Sequence, residues 1–301
     1  MSNKKHLGVI DLSSNIHRTF NTAKKQANKN NPAHYMGEIP VYSVKNTLLQ
    51  LIKEQNAAGR KRGGITHLVA VLDFGGTTFR HDIYPEYKAN RPPTDPELAV
   101  QKLIIERAVQ KLGIPLVKIQ FMEADDVINS IAIKCATHGI TTTIFTRDKD
   151  LFALVDGKFV EIYSGAEKKF FDYPAVVEGK GVVPERITEM LTLMGDKADN
   201  IIGVNGFGEK STAAILAEFS LDELLANPDL ILTVKVRGAK RLRDNFASSF
   251  EQINLMRQVA TMKSDINLQS TLKDWAYTRS KLDIDMVIAH SVKELLNEGK
   301  I

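Results

Sequence analysis

Residues 141–150 read TTTIFTRDKD, a β-branched apolar run that closes on two acidic residues. Two earlier stretches have the same form, because residues 8–11 (GVID) and 67–73 (HLVAVLD) also end on aspartate. Short apolar runs separated by amphipathic helical patterns predict a parallel α/β sheet. The carboxyl ends of parallel strands meet at one edge of a sheet, so the acids at these ends would point into one crevice.

The same patterns predict the individual elements. Strands are expected at His6–Leu12, His67–Leu72, Leu116–Gln120, Thr141–Thr146 and Phe159–Tyr163. Helices are expected at Ser43–Ala57, Glu97–Gln110, Ala124–Thr137, Lys149–Val155 and Pro184–Leu193. After Gly181 the pattern becomes all helical with glycine-rich joints, so we expect a boundary near residue 182.

Nine carboxylates in five groups carry the functional argument. For any single group, an ordinary exposed acid at a strand end or helix N-terminus is the simpler explanation. As a set in one crevice they would repel each other unless a cation neutralised them. Oxygen ligands without His or Cys favour Mg²⁺ or Mn²⁺ over zinc, which predicts a metal-dependent enzyme acting on phosphate esters. The nine are Asp11, Asp73, Glu123, Asp125, Asp126, Asp148, Asp150, Asp196 and Asp199.

The charge balance supports a polyanionic partner. The 301 residues include 40 Lys and Arg against 36 Asp and Glu, a formal charge of +4. If the nine carboxylates are set aside for metal, the remaining surface has an excess of about +13. The chain also holds one cysteine, Cys135, expected to pack as a small apolar side chain. The sequence contains no apolar run of membrane-spanning length and no signal peptide, so we expect a cytoplasmic protein.

Residues 79–107 (FRHDIYPEYKANRPPTDPELAVQKLIIER) interrupt the α/β pattern. Pro92 and Pro93 break any helix, and aromatic and basic residues cluster before them. Two interpretations are equally favoured by composition. The segment is either a flap above the strand ends or a surface loop whose aromatic side chains pack on the body.

Residues 202–211 (IGVNGFGEKS) resemble a phosphate-binding loop at first sight. Glu209 separates Gly208 from Lys210, however, and a helix rather than a strand precedes the turn, so we reject a nucleoside triphosphate site. The pattern is that of two helices joined by a glycine turn. Gly206 and Gly208 would let a phosphate approach the backbone, with Lys210 adding charge.

Together these motifs resemble the structure-specific 5′ nucleases, which include phage flap endonucleases and the 5′ nuclease domain of bacterial DNA polymerase I. The resemblance covers nearly the whole chain up to about residue 265, except residues 23–31. The matching stretches are VIDLSSNIHRTF (9–20), LDFGGTTFRHDIYPEYKANRPP (72–93), EADDVI (123–128), TRDKDLFALV (146–155), LMGDKADNIIGVNGFGEKS (193–211) and RQVATMKSD (257–265).

The resemblance implies a PIN-like parallel sheet flanked by helices, with a helical arch over about 84–110. It implies a catalytic domain over residues 1–182 and a helix–turn–helix (H3TH) DNA-binding lobe over 183–265. Residues 266–301 would be a tail packed on the body. It also implies a cytoplasmic enzyme, in the host cytoplasm if phage-encoded, and nothing in the sequence indicates more than a monomer.

The resemblance assigns roles to the acidic groups. One metal ion would be held by Asp73, Glu123, Asp125 and Asp148, with Asp11 acting directly or through water. The second would be held by Asp150, Asp196 and Asp199, and Asp126 would support its neighbours. Because both acids of the 196–199 pair are present, as well as both of the 148–150 pair, we expect full catalytic activity.

Further roles follow from the same resemblance. Arg18 and Lys88 would steady the scissile phosphate and Tyr87 would stack on a terminal base. Arg80 and Arg91, with Gly206, Gly208, Lys210 and Ser211 of the glycine turn, would contact DNA. In some relatives the turn holds K⁺ through backbone carbonyls, which here would be those of Leu193, Met194, Ile202, Val204 and Phe207.

The expected function is therefore metal-dependent 5′ to 3′ exonuclease and flap endonuclease action on DNA with a 5′ flap, free 5′ end or junction. The balance between these two actions, and between DNA and RNA, is left open. Two alternatives remain. A non-catalytic DNA-junction binder would keep the basic face and glycine turn. A phosphomonoesterase would share the acidic sheet edge, but it leaves the basic excess and the YKANRPP segment unexplained.

Overall fold

Residues 5–62, 64–278 and 281–301 are described by the computed structural model of the chain. Residues 1–4 of the predicted catalytic domain and residues 279 and 280 of the predicted tail lie outside the described residues. Among the described residues no helix is both long and apolar enough to span a bilayer.

A six-stranded sheet forms the centre of the molecule, beside a separate two-stranded hairpin. The strands are β1 (His6–Asp11), β2 (Tyr35–Met36), β3 (Ile39–Pro40), β4 (His67–Val71), β5 (Leu116–Val117), β6 (Thr141–Phe145), β7 (Val160–Ser164) and β8 (Lys169–Phe171). Their order across the sheet is β5-β4-β1-β6-β7-β8. The first five strands in this order, β5, β4, β1, β6 and β7, are parallel to one another. The last strand, β8, is antiparallel to β7. The predicted parallel sheet is confirmed.

Twelve α-helices in the described residues flank the sheet and build the second half of the chain. They are α1 (Leu12–Lys24), α2 (Val44–Arg62), α3 (Phe79–Ile83), α4 (Pro96–Lys111), α5 (Ala124–Thr137), α6 (Tyr173–Lys180), α7 (Ile187–Met194), α8 (Glu209–Glu218), α9 (Leu221–Ala226), α10 (Ala239–Ala247), α11 (Phe250–Ala260) and α12 (Ile284–Asn297). Short 3₁₀ helices occupy Asp150–Leu154, Pro184–Arg186, Pro228–Thr233 and Leu272–Trp275.

The register of the sheet sets where the acids lie. Asp11 at the end of β1 pairs with Val71 at the end of β4, and Ile10 pairs with Phe145 at the end of β6. The three strands therefore end level with one another. Residues that follow them, including the predicted Asp73 and Asp148, are placed at the same edge of the sheet.

Two apolar layers cover the faces of the sheet. Side chains alternate between faces along a strand, so Val9 packs in one layer and Ile10 in the other. The layer containing Val9 continues through the second half of the chain as far as Trp275. In the other layer, Gly8 allows close packing, because a Cβ there would lie 2.8 Å from a methyl carbon of Leu68.

Residues 84–110, predicted as a helical arch, divide into an irregular part and a helix. Of residues 84–110, the part from Pro96 onward is α4, whose Ile104 and Ile105 are fully buried in the core. Only residues 84–95 are without regular helix or strand. Tyr84 and Tyr87 are also buried, so the aromatic side chains pack on the body.

The C-terminal helix α12 lies against α4 and α2. Arg107 donates to Glu294 and to both carboxylate oxygens of Glu298, and Lys111 donates to Glu294 at 2.5 Å. These contacts attach the last helix to the face of the sheet that carries α4.

Candidate active site

Eight of the nine predicted carboxylates line one open cavity of about 580 Å³ at the carboxyl edge of the sheet. We call this cavity the acidic basin. Asp126 is the one that does not line it. The eight are Asp11, Asp73, Glu123, Asp125, Asp148, Asp150, Asp196 and Asp199.

Asp11 is held in place from two sides. Its Oδ1 accepts a 3.0 Å bond from the backbone N–H of Ser14, which makes it the N-cap of α1. Its Oδ2 accepts a 2.6 Å bond from the hydroxyl of Thr146 at the end of β6. The carboxylate is therefore fixed between two neighbouring strands at the floor of the basin.

Asp73 and Asp148 are fixed by backbone amides. The N–H of Ala124, at the start of α5, donates to Asp73 Oδ1 at 2.7 Å. The N–H of Asp150 donates to Asp148 Oδ1 at 3.0 Å. Both bonds leave the other carboxylate oxygen free of a backbone partner, so each acid keeps an oxygen that can face a ligand.

Burial and mutual repulsion act on the proton affinities of these acids. Burial raises the pKa of Asp11 to about 7, with Asp148 and Asp73 adding to the rise. Burial, followed by repulsion from Asp148, raises the pKa of Asp150 to about 7. The pKa of Asp125 is likewise raised well above its usual value, first by burial and then by Asp148 and Asp11. A group of acids that resist ionising together is a strong attractor for a cation.

The donor set fits a hydrated divalent cation rather than a ready-made cage. Within residues 5–62, 64–278 and 281–301, no three His, Cys, Asp or Glu side chains are arranged to hold a metal as they stand. All eight acidic side chains of the basin are carboxylates. Mg²⁺ is typically bound by one or two carboxylates while it keeps several waters. The residues present therefore suit that class of ion.

Two acids of the basin, Glu123 and Asp199, form ion pairs with cationic side chains of one wall. Lys88 forms an ion pair with Glu123 and lies 3.7 Å from Asp199, and Arg91 forms an ion pair with Asp199. Tyr87 donates from its hydroxyl to Glu123 at 2.9 Å and to Asp199 at 3.2 Å. The turn that carries these three side chains is thereby fastened to the basin.

Asp126 bonds to Arg80 and does not line the basin. It is fully buried, and both of its carboxylate oxygens accept bonds from Arg80, at 2.6 and 2.8 Å. The backbone N–H of Lys263 donates to it at 2.9 Å. Arg80 itself is 4% exposed and also donates to the carbonyl of Val259. An internal ion pair thus holds its guanidinium, and DNA contact by Arg80 stays a prediction.

The ring of Tyr87 is also withdrawn from solvent. It is 4% exposed and lies edge-on against His81, so neither face is open to a base. Two other aromatic rings, close in sequence to acids of the basin, are exposed to solvent. Phe74, next to Asp73, is 45% exposed, and Phe121, two residues before Glu123, is 53% exposed. Neither was predicted as a site residue, although Phe74 is next to a predicted acid and Phe121 is two residues from one.

Other polar side chains complete the wall of the basin. Arg18 lies there as predicted for a phosphate contact, one helical turn from Ser14 on α1. His17, which the sequence does not single out, also lines the basin. Burial, and then the charge of Lys102, lower the pKa of His17.

A second groove, of about 860 Å³, lies at the glycine turn. One wall is formed by the predicted residues Gly206, Gly208, Lys210 and Ser211. Basic residues before and within α10 also line the groove. Gly206 has φ +91° and a Cβ there would lie 3.2 Å from Leu242 of α10. The basic residues include Lys235, Arg237 and Arg241.

The backbone carbonyls expected to hold K⁺ lie around the same turn. Leu193 O accepts from Val204 N at 2.8 Å, and Ile202 O accepts from the side chain of Gln252 at 3.0 Å. Val204 O accepts from Phe207 N at 3.1 Å. Each carbonyl has a second lone pair, so K⁺ binding at this turn stays a prediction.

Two family models together match residues 6–283. One, described as the N-terminal resolvase-like domain of 5′-3′ exonucleases, matches residues 6–181. The other, described as the C-terminal SAM fold of 5′-3′ exonucleases, matches residues 182–283.

Individual relatives agree with these models. The chain is 36% identical over 264 residues to DNA polymerase I of Pseudomonas aeruginosa. The aligned region covers 87% of this chain and 28% of the polymerase. The chain is 33% identical over 209 residues, 69% of each chain, to a 5′-3′ exonuclease of Buchnera aphidicola subsp. Baizongia pistaciae. The chain thus spans less than a third of the length of the polymerase relative.

A solved structure shares the fold. The structure of T5 5′-exonuclease with bound zinc superposes with a TM-score of 0.62 at 20% identity, covering 97% of this chain and 99% of that one. A T5 flap endonuclease in a complex with DNA and metal ions superposes with a TM-score of 0.61 at 19% identity, covering 96% and 98%.

Proposed function

The chain belongs to the 5′-3′ exonuclease family, and on that basis we propose that it is a metal-dependent nuclease acting on DNA at 5′ ends and at junctions of single strand and duplex. The observation that carries the proposal is the acidic basin, where eight carboxylates meet beside Lys88, Arg91 and Arg18. Acids alone would repel a phosphodiester, whereas acids that hold cations, with basic side chains on the wall, attract one.

We propose that the basin holds two Mg²⁺ or Mn²⁺ ions. Bound there, they would lower the pKa of the attacking water and neutralise charge on the attacking and leaving oxygens. Asp73, Glu123, Asp125 and Asp148 would hold one ion with help from Asp11. Asp150, Asp196 and Asp199 would hold the other.

The basic wall then contributes to the reaction through its own side chains. Glu123 and Asp199 now pair with Lys88 and Arg91. With metal held by those carboxylates, the Lys88 ammonium and the Arg91 guanidinium would be able to donate to the scissile phosphate. Arg18 faces the same space from α1. Donors placed where negative charge develops lower the barrier to phosphoryl transfer.

The exposed rings of Phe74 and Phe121 are suited to hold an unpaired base. Stacking on aromatic side chains is tolerant of sequence and suits single-stranded ends. The buried ring of Tyr87 would need the 84–91 turn to move before it could do the same. We therefore assign base stacking first to Phe74 and Phe121.

The glycine-turn groove would grip the duplex arm of the substrate. Exposed backbone N–H groups at the start of α8 and the side chain of Lys210 suit one phosphate. Lys235, Arg237 and Arg241 in the same groove suit neighbouring phosphates of the same backbone. A contact of this kind fixes the position of DNA without reading its sequence.

The test is cleavage of a 5′-labelled flap duplex by the purified chain with Mg²⁺, Mn²⁺ or EDTA. We expect metal-dependent products that end at or next to the junction. Binding that is equally tight in all three conditions with no cleavage in any would replace the nuclease with a junction-binding protein. Release of phosphate from a monoester with no action on the duplex would favour a phosphomonoesterase.

A further inference from the structure

A further groove, distinct from the glycine-turn groove, lies at the opposite edge of the sheet from the acidic basin. It is a groove of about 570 Å³ between the C-terminal half of α5 and the 3₁₀ helix Leu272–Trp275. Lys5, which precedes β1, and Ile140, which precedes β6, both line it. The groove therefore lies at the amino ends of the strands. We call it the far-edge groove.

The floor of the far-edge groove is apolar and includes an indole. Ile131, Leu268 and Trp275 are buried side chains that line it, and the partly exposed Leu272 closes one side. Deep apolar pockets that hold an aromatic ring are where protein contacts gain most of their binding energy. A phosphate backbone would gain nothing from such a floor.

The rim of the far-edge groove is positive. Lys5, Lys134 and Lys273 stand on it with exposed side chains, together with the exposed His138. None of its twelve lining residues is acidic. Across the described part of the chain, no carboxylate lies within ion-pair distance of any of these three lysines.

From this combination we propose that the far-edge groove binds a short acidic segment of a partner protein, with an apolar side chain on the floor and carboxylates on the lysines. A cavity of this size lies in the range of ligand pockets and is too small for a folded domain. Its distance from the basin, roughly the length of the six-residue strand β1, lets the partner and DNA bind together.

Trp275 gives a direct readout, because it is the one tryptophan of the chain and it lines the groove. The full chain is titrated with a short synthetic peptide of Asp, Glu, Phe and Leu while Trp275 emission is recorded. We expect a saturable shift that weakens with added salt. A peptide with Lys in place of each acid should give no shift. DNA cleavage should be unchanged at saturating acidic peptide.

Charge reversal on the rim supplies the variant test. K134E and K273E should each bind the acidic peptide roughly tenfold more weakly, whereas K293E, on the exposed face of α12, should bind it like the parent chain. No shift with the acidic peptide, or an equal one with the lysine peptide, would overturn the proposal. So would displacement of the peptide by a DNA oligonucleotide, or an emission change that follows protein concentration alone.

Discussion

Arg80 and Asp126 form a buried, two-pronged ion pair, with Nη1 2.6 Å from Oδ2 and Nη2 2.8 Å from Oδ1. Arg80 also donates to the carbonyl of Val259 at 2.7 Å and to Glu123 at 3.1 Å. One guanidinium thus joins α3, the start of α5 and the end of α11. It connects an acid of the basin to the half of the chain that carries the glycine turn.

Replacing Arg80 by Met should destabilise the protein by about 3–5 kcal/mol, because Asp126 would keep a buried charge without its partner. Arg107→Met is the matched control, since Arg107 pairs with the more exposed Glu294 and Glu298. That control should cost no more than about 1 kcal/mol. Denaturant unfolding measures both. Equal effects of the two variants would contradict the role of the buried pair.

Lys88→Met should lower kcat by roughly 10²- to 10³-fold, because one preorganised donor to the phosphate is removed. The DNA dissociation constant should change much less, because Lys88 lines the basin and not the glycine-turn groove that would hold the duplex. Single-turnover cleavage and fluorescence anisotropy separate the two effects. A variant that cuts at the parent rate but binds poorly would remove Lys88 from the chemical step.

Arg241→Ala should weaken duplex binding and lower the slope of log affinity against log salt by about 0.9, the loss of one phosphate contact. The single-turnover cleavage rate at saturating DNA should be unchanged. Lys293→Ala, an exposed lysine on α12 outside the groove, is the control and should leave the slope as it is. An unchanged slope in Arg241→Ala would place the duplex elsewhere.

Glu54, which does not line the acidic basin, predicts a pH dependence of stability. Burial raises the pKa of its carboxyl to about 7, although Gln50 donates to it at 2.7 Å. A raised pKa in the folded state favours folding at low pH. This contribution is complete below the usual pKa of 4.5 and is lost as the pH rises through about 7, a change of up to about 3 kcal/mol.

Glu54→Gln keeps the shape of the side chain without its charge. It should therefore remove this part of the fall in stability between pH 5 and pH 8, roughly the window set by the two pKa values. Urea unfolding across that range measures it. Glu38→Gln, at an exposed position, is the control and should keep the parent profile. If the free energy of unfolding of Glu54→Gln changed with pH as it does in the parent chain, ionisation of Glu54 would not destabilise the fold, which would contradict the prediction.

The strand-end acids could be predicted from sequence because their placement depends on a local pattern. An apolar run that ends on Asp gives both the strand and the edge at which Asp11, Asp73 and Asp148 meet. The observed register, in which β1, β4 and β6 end level with one another, agrees with this expectation. Strand β8 and the β2–β3 hairpin escaped prediction because runs of two or three residues have no periodicity to detect.

The roles of Asp125 and Asp126 could not be separated from sequence. Neighbouring positions on a helix point about 100° apart, so only one of the two can face the basin. Which one does is decided by Arg80, 46 residues away along the chain. The basic residues of the glycine-turn groove could not be predicted for the same reason. Arg241 lies beside the glycine turn only because α10 packs there.

The burial of Tyr87 depends on one unusual backbone conformation. Lys88 adopts φ +59°, a left-handed geometry that is uncommon outside glycine, and its N–H donates to the carbonyl of Asp199 at 3.0 Å. The turn thereby directs Tyr87 and Lys88 into the basin together. Composition indicates a turn around Pro92 and Pro93 but not which way its side chains face.

The most direct test of the account compares Asp148→Asn with the parent chain on a 5′-flap duplex in Mg²⁺. We predict unchanged DNA affinity and loss of cleavage, because a ligand of the basin is removed while the duplex groove is intact. Asp265→Asn, at an exposed position outside the basin, should bind and cut like the parent. Cleavage by Asp148→Asn at the parent rate would contradict the acidic basin as the catalytic centre.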